Sequence, residues 1–291
     1  MNIFLTGGTG FVGSNFLEII LTEDYSVKAL KRLGSKTAFT LSKEPIWIEG
    51  SLDINKPGLF HNTDVFVHLA SHSTNPPYDN LDNCLYWNVL APIKLASQAA
   101  SEGVENFLIA GSCSEYGVSA EDGELSVSSP LEPNLSYSTS KAASSIAFKG
   151  LCRDLGLKLR LLRFFHVFGE GEPENRFWPS LKKAALAGND FSMSEGDQIR
   201  DFIHVRDVSK ALVKALDFSD IKKGIPHVAH VASGNPQTLL DFAKSQWREL
   251  NGCGELNTGQ IPKRRNESDS MFSNPKDIFR EKIIKKYENK L

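Results

Sequence analysis

Short apolar runs alternate with longer segments of helical periodicity through the first two-thirds of the chain. Because strands and helices that alternate in this way form parallel units, the pattern predicts an α/β fold: a doubly wound parallel (Rossmann) sheet with helices on both faces. The predicted strands cover residues 2–6, 25–30, 46–48, 65–71, 107–110, 161–169 and 226–232. The predicted helices cover residues 14–21, 81–102, about 137–155 and 275–290.

The first strand runs directly into a glycine-rich turn, Gly7-Gly-Thr-Gly10-Phe-Val-Gly13, and then into a helical pattern. Glycines at these positions allow a tight turn, the close approach of a pyrophosphate and close packing of the helix on the strand. The amides at the start of the helix would face the phosphate. We therefore predict a dinucleotide site that includes Gly7, Gly10, Phe11, Val12 and Gly13.

The second strand ends in Lys31-Arg32, where an enzyme that uses the unphosphorylated cofactor carries an acid for the ribose hydroxyls. Two cations there favour a 2′-phosphate through charge-assisted hydrogen bonds, although a solvated loop is the plainer interpretation. We therefore predict NADP(H), with NAD(H) as the alternative. Asp53 follows the third strand and is a candidate acceptor for the adenine amino group, or only a turn residue.

Composition excludes several classes of function. The net charge of -2 gives no electrostatic reason to expect a nucleic-acid or membrane partner. The four cysteines are scattered, which argues for a reducing compartment and against a zinc or disulfide framework. No apolar run reaches membrane-spanning length and no leader pattern precedes the first strand. We expect a cytoplasmic protein without a metal site.

Polar residues at the end of the fifth strand and at the start of a later helix are the candidates for chemistry. The strand ends in Gly111-Ser112-Cys-Ser-Glu-Tyr116-Gly117, and ligands bind such sheets at the carboxyl ends of strands. Tyr137 and Lys141 lie four residues apart and share one helical face. A phenol, with a pKa near ~10, is a weak base at neutral pH unless a nearby positive charge stabilises the phenolate. Lys141 can supply that charge, and Ser112 can hold a substrate oxygen.

The ordered set of motifs resembles the extended short-chain dehydrogenase/reductases, in the branch of sugar-nucleotide epimerases, dehydratases and reductases. The motifs that carry the resemblance are residues 6–13, Asp53-Ile54, Val67-His-Leu69-Ala70, Ser112 with Tyr116-Gly117, and Tyr137-Ser-Thr-Ser-Lys141. By this resemblance Tyr137 is the general acid/base, Lys141 its activator and a ligand of the cofactor ribose, and Ser112 the third catalytic member. It also implies that Ile54, Leu69 and Ala70 contact the cofactor.

The last third of the chain carries the residues expected to bind substrate. His166 stands where family members usually have Asn, and Arg200 matches an Arg that contacts a sugar nucleotide's diphosphate. A guanidinium suits that contact because it donates two parallel hydrogen bonds to phosphate oxygens. A salt bridge from Arg200 to Asp201 or Asp207 is the alternative. The predicted substrate-binding residues are Ser112, Cys113, Ser114, His166, Arg200 and Arg264, with Arg265 as the rival of Arg264.

The resemblance implies an NADP-binding Rossmann domain (residues 1–165 and 201–227) and a smaller sugar-nucleotide-binding portion (166–200 and 228–291). Dehydratases of the branch carry Asp-Glu where this chain has Cys113-Ser114. We therefore predict the NADPH-dependent reduction of a 4-keto-6-deoxy nucleoside-diphosphate sugar, CDP- or dTDP-linked, in deoxysugar and surface-polysaccharide (O-antigen) synthesis. The alternatives are an NAD-dependent nucleotide-sugar 4-epimerase and, because fold alone does not give function, a non-catalytic NADPH-binding regulator. A homodimer through the helices near 81–102 and 137–155 is also implied.

Overall fold

The computed structural model describes residues 1–263 and 268–279. The strands are β1 (Asn2–Thr6), β2 (Ser26–Lys31), β3 (Ile46–Glu49), β4 (Val65–His68), β5 (Asn106–Ser112), β6 (Glu124–Leu125), β7 (Lys158–Phe164), β8 (His166–Phe168), β9 (Phe191–Ser192), β10 (Ile199–Arg200), β11 (Phe202–His204), β12 (His227–Val231), β13 (Gln237–Thr238), β14 (Leu256–Asn257) and β15 (Ser270–Ser273). The α-helices are α1 (Phe11–Ile20), α2 (Leu81–Leu85), α3 (Ala91–Ser101), α4 (Ser136–Leu155), α5 (Phe177–Ala187), α6 (Val205–Lys214) and α7 (Leu239–Glu249).

Seven parallel strands form the central sheet, in the order β12-β7-β5-β4-β1-β2-β3. The chain extends the sheet in one direction from β1 to β3 and in the other direction from β4 onward. The carboxyl ends of β1 and β4 therefore meet at the topological switch point, where ligands bind in doubly wound sheets. The predicted doubly wound parallel sheet is confirmed.

Both faces of the sheet are apolar. Ile3 and Leu5 pack in the core cluster formed with α1 and α6, whereas Phe4, between them, packs in the cluster formed with α3 and α4. Successive side chains of a strand point to opposite faces, so a strand that is covered on both sides needs apolar residues at every position. This requirement explains why the buried strands appear in the sequence as continuous apolar runs.

The connection between β2 and β3, residues 32–45, contains no helix. It lies along α1 instead: the amide of Ala38 donates to the hydroxyl of Ser14 at 3.0 Å, and Leu41 is buried in the α1 and α6 cluster. Its middle also meets the loop after β8, because a Cβ built on Gly171 would lie 3.0 Å from the Cβ of Ala38. This connection therefore touches both the sheet and the substrate portion.

The predicted helix over 81–102 is interrupted by one π-helical turn, Tyr86–Leu90, between α2 and α3. Pro92 has no amide hydrogen, so the carbonyl of Asn88 cannot receive the usual bond from the residue four positions on. The amide of Ala91 donates to the carbonyl of Tyr86, the five-residue spacing of a π turn. The side chain of Asn88 bonds both the amide (2.7 Å) and the carbonyl (3.1 Å) of His72.

The smaller portion is built from α5 and α7, which share an apolar cluster, and from the sheet β13-β10-β15-β6. One correction concerns the predicted domain boundary at 227/228, which passes through β12. That strand pairs with β7, so residues 228–231 belong to the central sheet. The division into two parts otherwise stays a prediction.

Of the predicted helix over 275–290, Pro275–Asp277 form a 3₁₀ turn and residues 280–291 lie outside the described part. Within the described residues, none of the helices has the length and apolar character needed to cross a bilayer.

Candidate active site

The glycine-rich turn has the geometry of a phosphate cradle. Gly7 has φ +81°, and a Cβ there would lie 2.4 Å from the amide nitrogen of Ala70. A Cβ on Gly13 would lie 2.0 Å from the carbonyl oxygen of Gly7, so only glycine fits either position. Helix α1 starts at Phe11 and Gly10 gives it no side-chain cap, which leaves its first amides directed at a ligand. The predicted residues Gly7, Gly10, Phe11, Val12 and Gly13 all lie in this turn.

The three predicted catalytic residues converge at the carboxyl ends of β4 and β5. Tyr137 is half-buried, and the hydroxyls of Ser71 and Ser112 interact with its phenol. The ammonium of Lys141 donates to the carbonyl of Ala110 at 2.7 Å. The structure thus brings Ser112, Tyr137 and Lys141 together, and we call them the catalytic cluster. Their chemical roles stay a prediction.

The phenol in this cluster is protonated at neutral pH. Burial raises the pKa of Tyr137 to about 12, against the lowering effect of the hydroxyls of Ser71 and Ser112. Burial also lowers the pKa of Lys141, which Glu115 partly offsets. The main influences on the phenol are therefore burial and two hydroxyls, rather than the ammonium expected from the sequence. In this state Tyr137 is a proton donor, and it needs additional positive charge nearby before it can accept a proton.

A buried ion pair supports the catalytic cluster. The carboxylate of Glu115 accepts from the amide of Ser112 (2.8 Å), the hydroxyl of Ser145 (2.7 Å) and Nε of Arg163 (2.8 Å). Ser112 Oγ also lies 2.8 Å from the hydroxyl of Ser114. The sequence analysis missed Glu115 and Arg163. Ser112 and Glu115 have the spacing of a capping box, and this spacing could have indicated Glu115.

A string of polar side chains continues from this pair into the smaller portion. Arg163 Nη1 donates to Tyr116 Oη at 2.8 Å, and Tyr116 Oη lies 2.5 Å from Nε2 of His230. On the other side of the imidazole, Nδ1 lies 2.8 Å from Ser273 Oγ, which donates to the carbonyl of Asn274. A hydroxyl has one proton, so Nδ1 of His230 donates to Ser273 and Nε2 accepts from Tyr116. Burial lowers the pKa of His230 to about 4, which keeps it neutral.

Lys31 lies at a cavity beside the glycine-rich turn. Its ammonium is 5.2 Å from the ring centre of Trp47, and a Cβ on Gly8 would lie 3.5 Å from that indole. The cavity has a volume of about 400 Å³ and is lined by Lys31, Ser35, Lys36, Thr37, Phe39, Thr40, Glu44 and Trp47. Arg32 is exposed and is not among these lining residues. The structure therefore separates the two cations that the sequence analysis treated together.

The other predicted cofactor residues lie at the carboxyl edge of the central sheet. Asp53 is exposed, and its carboxylate accepts from the hydroxyl of Tyr86 (2.9 Å) and from that of Ser51; these bonds lower its pKa. Ile54 packs in the α3 and α4 cluster. Leu69 and Ala70 directly follow β4, next to the glycine-rich turn. An adenine contact by Asp53 stays a prediction.

Strands β8 and β11 place His166 on the side of the smaller portion. Val167 and Ile203 pack into the core beneath them, so their neighbours His166 and Phe202 face the other way, with ring centres 5.9 Å apart. Phe202 stacks on Phe242 of α7. Among the described residues Nδ1 of His166 is buried without a hydrogen-bond partner. Burial, and then the charges of Arg200 and Arg176, lower the pKa of His166 well below its usual value.

Arg200 is buried beside His166 and Cys113. Its guanidinium donates to the carbonyls of Ile199 (2.8 Å) and Ser268 (2.7 Å). The carboxylate of Asp201 instead binds the loop after β12, accepting from the amides of Ser233 and Gly234. Burial raises the pKa of the Cys113 thiol to about 12, although Arg200 acts in the opposite direction. Arg264 and its rival Arg265 lie outside the described residues.

The loop after β8 holds a buried carboxyl group that the sequence analysis missed. Glu172 Oε1 lies 3.2 Å from Nε of Arg176, and only 4% of the Glu172 side chain is exposed. Its Oε2 has no hydrogen-bond partner among the described residues. Burial raises the pKa of Glu172 to about 7, opposed by Arg176 and by the amide of Gly169. The feature of the sequence that could have indicated Glu172 is an acidic residue shortly after the strand that carries His166.

The described residues contain no group of three or more His, Cys, Asp or Glu arranged to hold a metal ion.

Comparison with known proteins gives a consistent picture. The family model described as "NAD dependent epimerase/dehydratase family" matches residues 3–229. The chain is 26% identical to the UDP-glucose 4-epimerase of Rhizobium meliloti over 94% of this chain and 88% of that protein. It is 22% identical to the dTDP-6-deoxy-L-talose 4-dehydrogenase (NAD(+)) of Aggregatibacter actinomycetemcomitans, over 82% and 87%. A structure of MoeE5 with UDP-glucose and NAD superimposes with a TM-score of 0.78 at 26% identity, covering 94% of this chain and 89% of that one.

Proposed function

We propose, since the chain belongs to the NAD dependent epimerase/dehydratase family, that it is a nucleotide-sugar 4-epimerase that works with NAD(H). The observation that carries the proposal is the partly buried catalytic cluster next to the phosphate cradle. UDP-glucose 4-epimerases recur among the curated relatives, and the MoeE5 structure holds both UDP-glucose and NAD. These similarities favour the epimerase alternative over the ketoreductase that we expected first.

The catalytic cluster has the groups that this reaction needs. A nicotinamide bound beside the phosphate cradle would supply reversible hydride transfer at the sugar carbinol carbon. Tyr137 Oη exchanges a proton with the sugar 4-oxygen, and Ser112 Oγ hydrogen-bonds the same oxygen. Lys141, fixed on the carbonyl of Ala110, would supply positive charge within the catalytic cluster. The ring of Tyr78 stacks on Tyr137 at 5.5 Å and shields the phenol from water.

The substrate would lie between the catalytic cluster and the smaller portion. Arg200 is placed to donate to the diphosphate, and the unpartnered Nδ1 of His166 is available to a sugar or phosphate oxygen. The high pKa of the Cys113 thiol keeps it neutral, so it contributes packing rather than charge at this site.

The test is the conversion of UDP-glucose to UDP-galactose in the presence of NAD, followed by proton NMR. We expect turnover by the wild-type chain. Failure to form the epimer, with net NADPH consumption on a keto sugar nucleotide instead, would reject the epimerase.

A second candidate is the NADPH-dependent reduction of a 4-keto-6-deoxy sugar nucleotide, and the cavity at Lys31 favours it. Two ammonium groups and three hydroxyls line that cavity, as a 2′-phosphate requires. Its one carboxylate, Glu44, is bonded by the indole N–H of Trp47 at 2.6 Å. The 4-dehydrogenase relative is named for a 6-deoxy sugar linked to dTDP, which is the same substrate class. NADPH oxidation with CDP- or dTDP-4-keto-6-deoxyglucose would identify this activity, and a pure regulator would turn over neither substrate class.

The same fold supports the proposal of a homodimer through α2, α3 and α4. Large apolar side chains are exposed on α2, on the π turn that follows it and on α4: Leu81, Tyr86, Leu90 and Ile146. Exposed apolar groups grouped on neighbouring helices mark interaction surfaces. Sedimentation of the wild type and of the Ile146→Glu variant tests this, and we expect a dimer and a monomer respectively.

A further inference from the structure

Glu172 and Arg176 form an ion pair that is only half completed. One carboxylate oxygen meets Nε of Arg176, while the other is buried without a partner among the described residues. The oxygens of a buried carboxylate normally have hydrogen-bond partners, because an unsatisfied buried acceptor loses its hydration without compensation. Arg176 itself is 38% exposed, so its guanidinium has room to turn.

The charge of Arg176 also acts on a predicted substrate-binding residue, His166. Arg176 is one of the two guanidiniums whose charge acts on His166, and Arg200 is the other. Both guanidiniums therefore add positive charge near His166. A phosphate can accept two parallel hydrogen bonds from a guanidinium, whereas Glu172 engages Arg176 through one oxygen.

We propose that Arg176 is a phosphate contact that Glu172 holds until the nucleoside-diphosphate sugar binds, and that Glu172 takes up one proton from solvent when Arg176 leaves it. The inference rests on the proposed function, because it assigns a further contact to the same ligand. Loss of a neighbouring cation favours the neutral form of a buried carboxyl group, which is the physical reason for the coupling.

The charges around Glu172 limit which other groups can take the proton. On its own loop, Glu170 binds Lys182 of α5 (3.1 Å) and lies 3.6 Å from His204 of β11. His166 of β8 is influenced by Arg176 and by Arg200 of β10. The two histidines are therefore the rivals, and each has a matched asparagine variant.

The experiment is calorimetry of UDP-glucose binding to the NAD-loaded chain in buffers of different ionisation enthalpy, at about pH 6 and about pH 8. The phosphates of UDP-glucose are diesters and have no proton to exchange in this range, unlike the monoester of UDP. For the wild type we expect an uptake of about one proton at the higher pH and near zero at the lower, since Glu172 is then already protonated. Glu172→Gln should bind without uptake at either pH, while His166→Asn and His204→Asn should retain the uptake.

The Arg176→Met variant gives a second readout. It should weaken UDP-glucose binding by about 10–100-fold and abolish the proton uptake, whereas a merely structural arginine would change thermal stability and leave the proton count unchanged. Uptake that persists in Glu172→Gln, or that disappears in a histidine variant that still binds UDP-glucose, would overturn the proposal. Binding of UDP-glucose by the wild type without uptake would also overturn it and leave the proposed function intact. Absence of binding and turnover with any nucleoside-diphosphate sugar would reject both.

Discussion

The two ends of the cleft differ in how completely the protein satisfies its own polar groups. In the catalytic cluster, Tyr137 bonds two serines and Lys141 bonds a backbone carbonyl. In the smaller portion, His166 Nδ1, Glu172 Oε2 and Gln198 Oε1 are buried without partners among the described residues.

This difference separates groups held in place by the protein from groups that wait for a ligand. Preorganised donors act on a reaction without reorganisation, so a catalytic cluster benefits from internal partners. Unsatisfied buried atoms in a native structure call for an explanation, and a ligand that completes them is one. We therefore expect substitutions in the catalytic cluster to affect rate or folding, and those in the smaller portion to affect binding and pH response.

The largest expected effect comes from the Tyr137→Phe substitution, which removes the proton donor but keeps the ring that stacks on Tyr78. Turnover of UDP-glucose should fall by about 10²–10⁴-fold, the usual contribution of general acid–base catalysis. NAD binding, measured by calorimetry, should remain nearly intact. Activity within about tenfold of the wild type would show that another group moves the proton.

The Glu115→Gln substitution tests whether the catalytic cluster depends on its buried ion pair. Removing one partner of such a pair leaves Arg163 uncompensated and should lower the free energy of unfolding by about 3–5 kcal/mol. Urea denaturation measures this loss. The double variant with Arg163→Met is the matched control and should recover part of the stability, because it removes the unpaired charge. A single variant as stable as the wild type would contradict the structural role.

The stability of the smaller portion should depend on pH through Glu172. Its pKa is about 7 in the folded chain against an ordinary value of 4.5, so between these pH values the folded chain binds more protons than the unfolded chain. The contribution of Glu172 to the free energy of unfolding is fully present below about pH 4.5 and is lost as the pH rises through about 7. The loss amounts to about 3 kcal/mol. Urea denaturation of wild type and Glu172→Gln across this range measures the difference. Parallel stability curves would contradict the assignment.

The smallest expected effect concerns the adenosine end of the cofactor. Lys31→Ala should raise the KM for NADP(H) by about fivefold, because a partly exposed charge contact is worth about 1 kcal/mol. The KM for NAD(H) should stay nearly unchanged. Arg32→Ala is the matched control, because Arg32 does not line the cavity. Equal changes in both variants would show a diffuse charge effect rather than a phosphate pocket.

Much of the fold followed from local pattern. The strand at residues 2–6 was predicted at its observed bounds, because an apolar run bounded by a glycine-rich turn admits few other structures. The π turn before Pro92 and the packing of the connection at 32–45 along α1 were not predicted. Both depend on tertiary packing, the first on bonds from Asn88 to a distant loop and the second on contacts with α1.

The site was predictable where a motif has fixed spacing. Ser112, Tyr137 and Lys141 were found together because their order along the chain is distinctive. Ser71 and Tyr78 were missed, since nothing in an isolated loop shows that it folds against Tyr137. The partly completed pair of Glu172 and Arg176 was missed for a different reason. Helical spacing of an acid and a base is ordinary, and only burial distinguishes this pair.

The string from Arg163 through Tyr116 and His230 to Ser273 has a single polarity. Its terminal acceptor, the carbonyl of Asn274, has no proton to give back, so every hydrogen along the string points toward it. Such a row has no reversed arrangement of comparable energy. Strand β15 thereby fixes the orientation of the Arg163 guanidinium, which bonds Glu115 beside the catalytic cluster. A truncation before Ser273 would remove this constraint, although Ser273 itself lies far from Ser112 in the sequence.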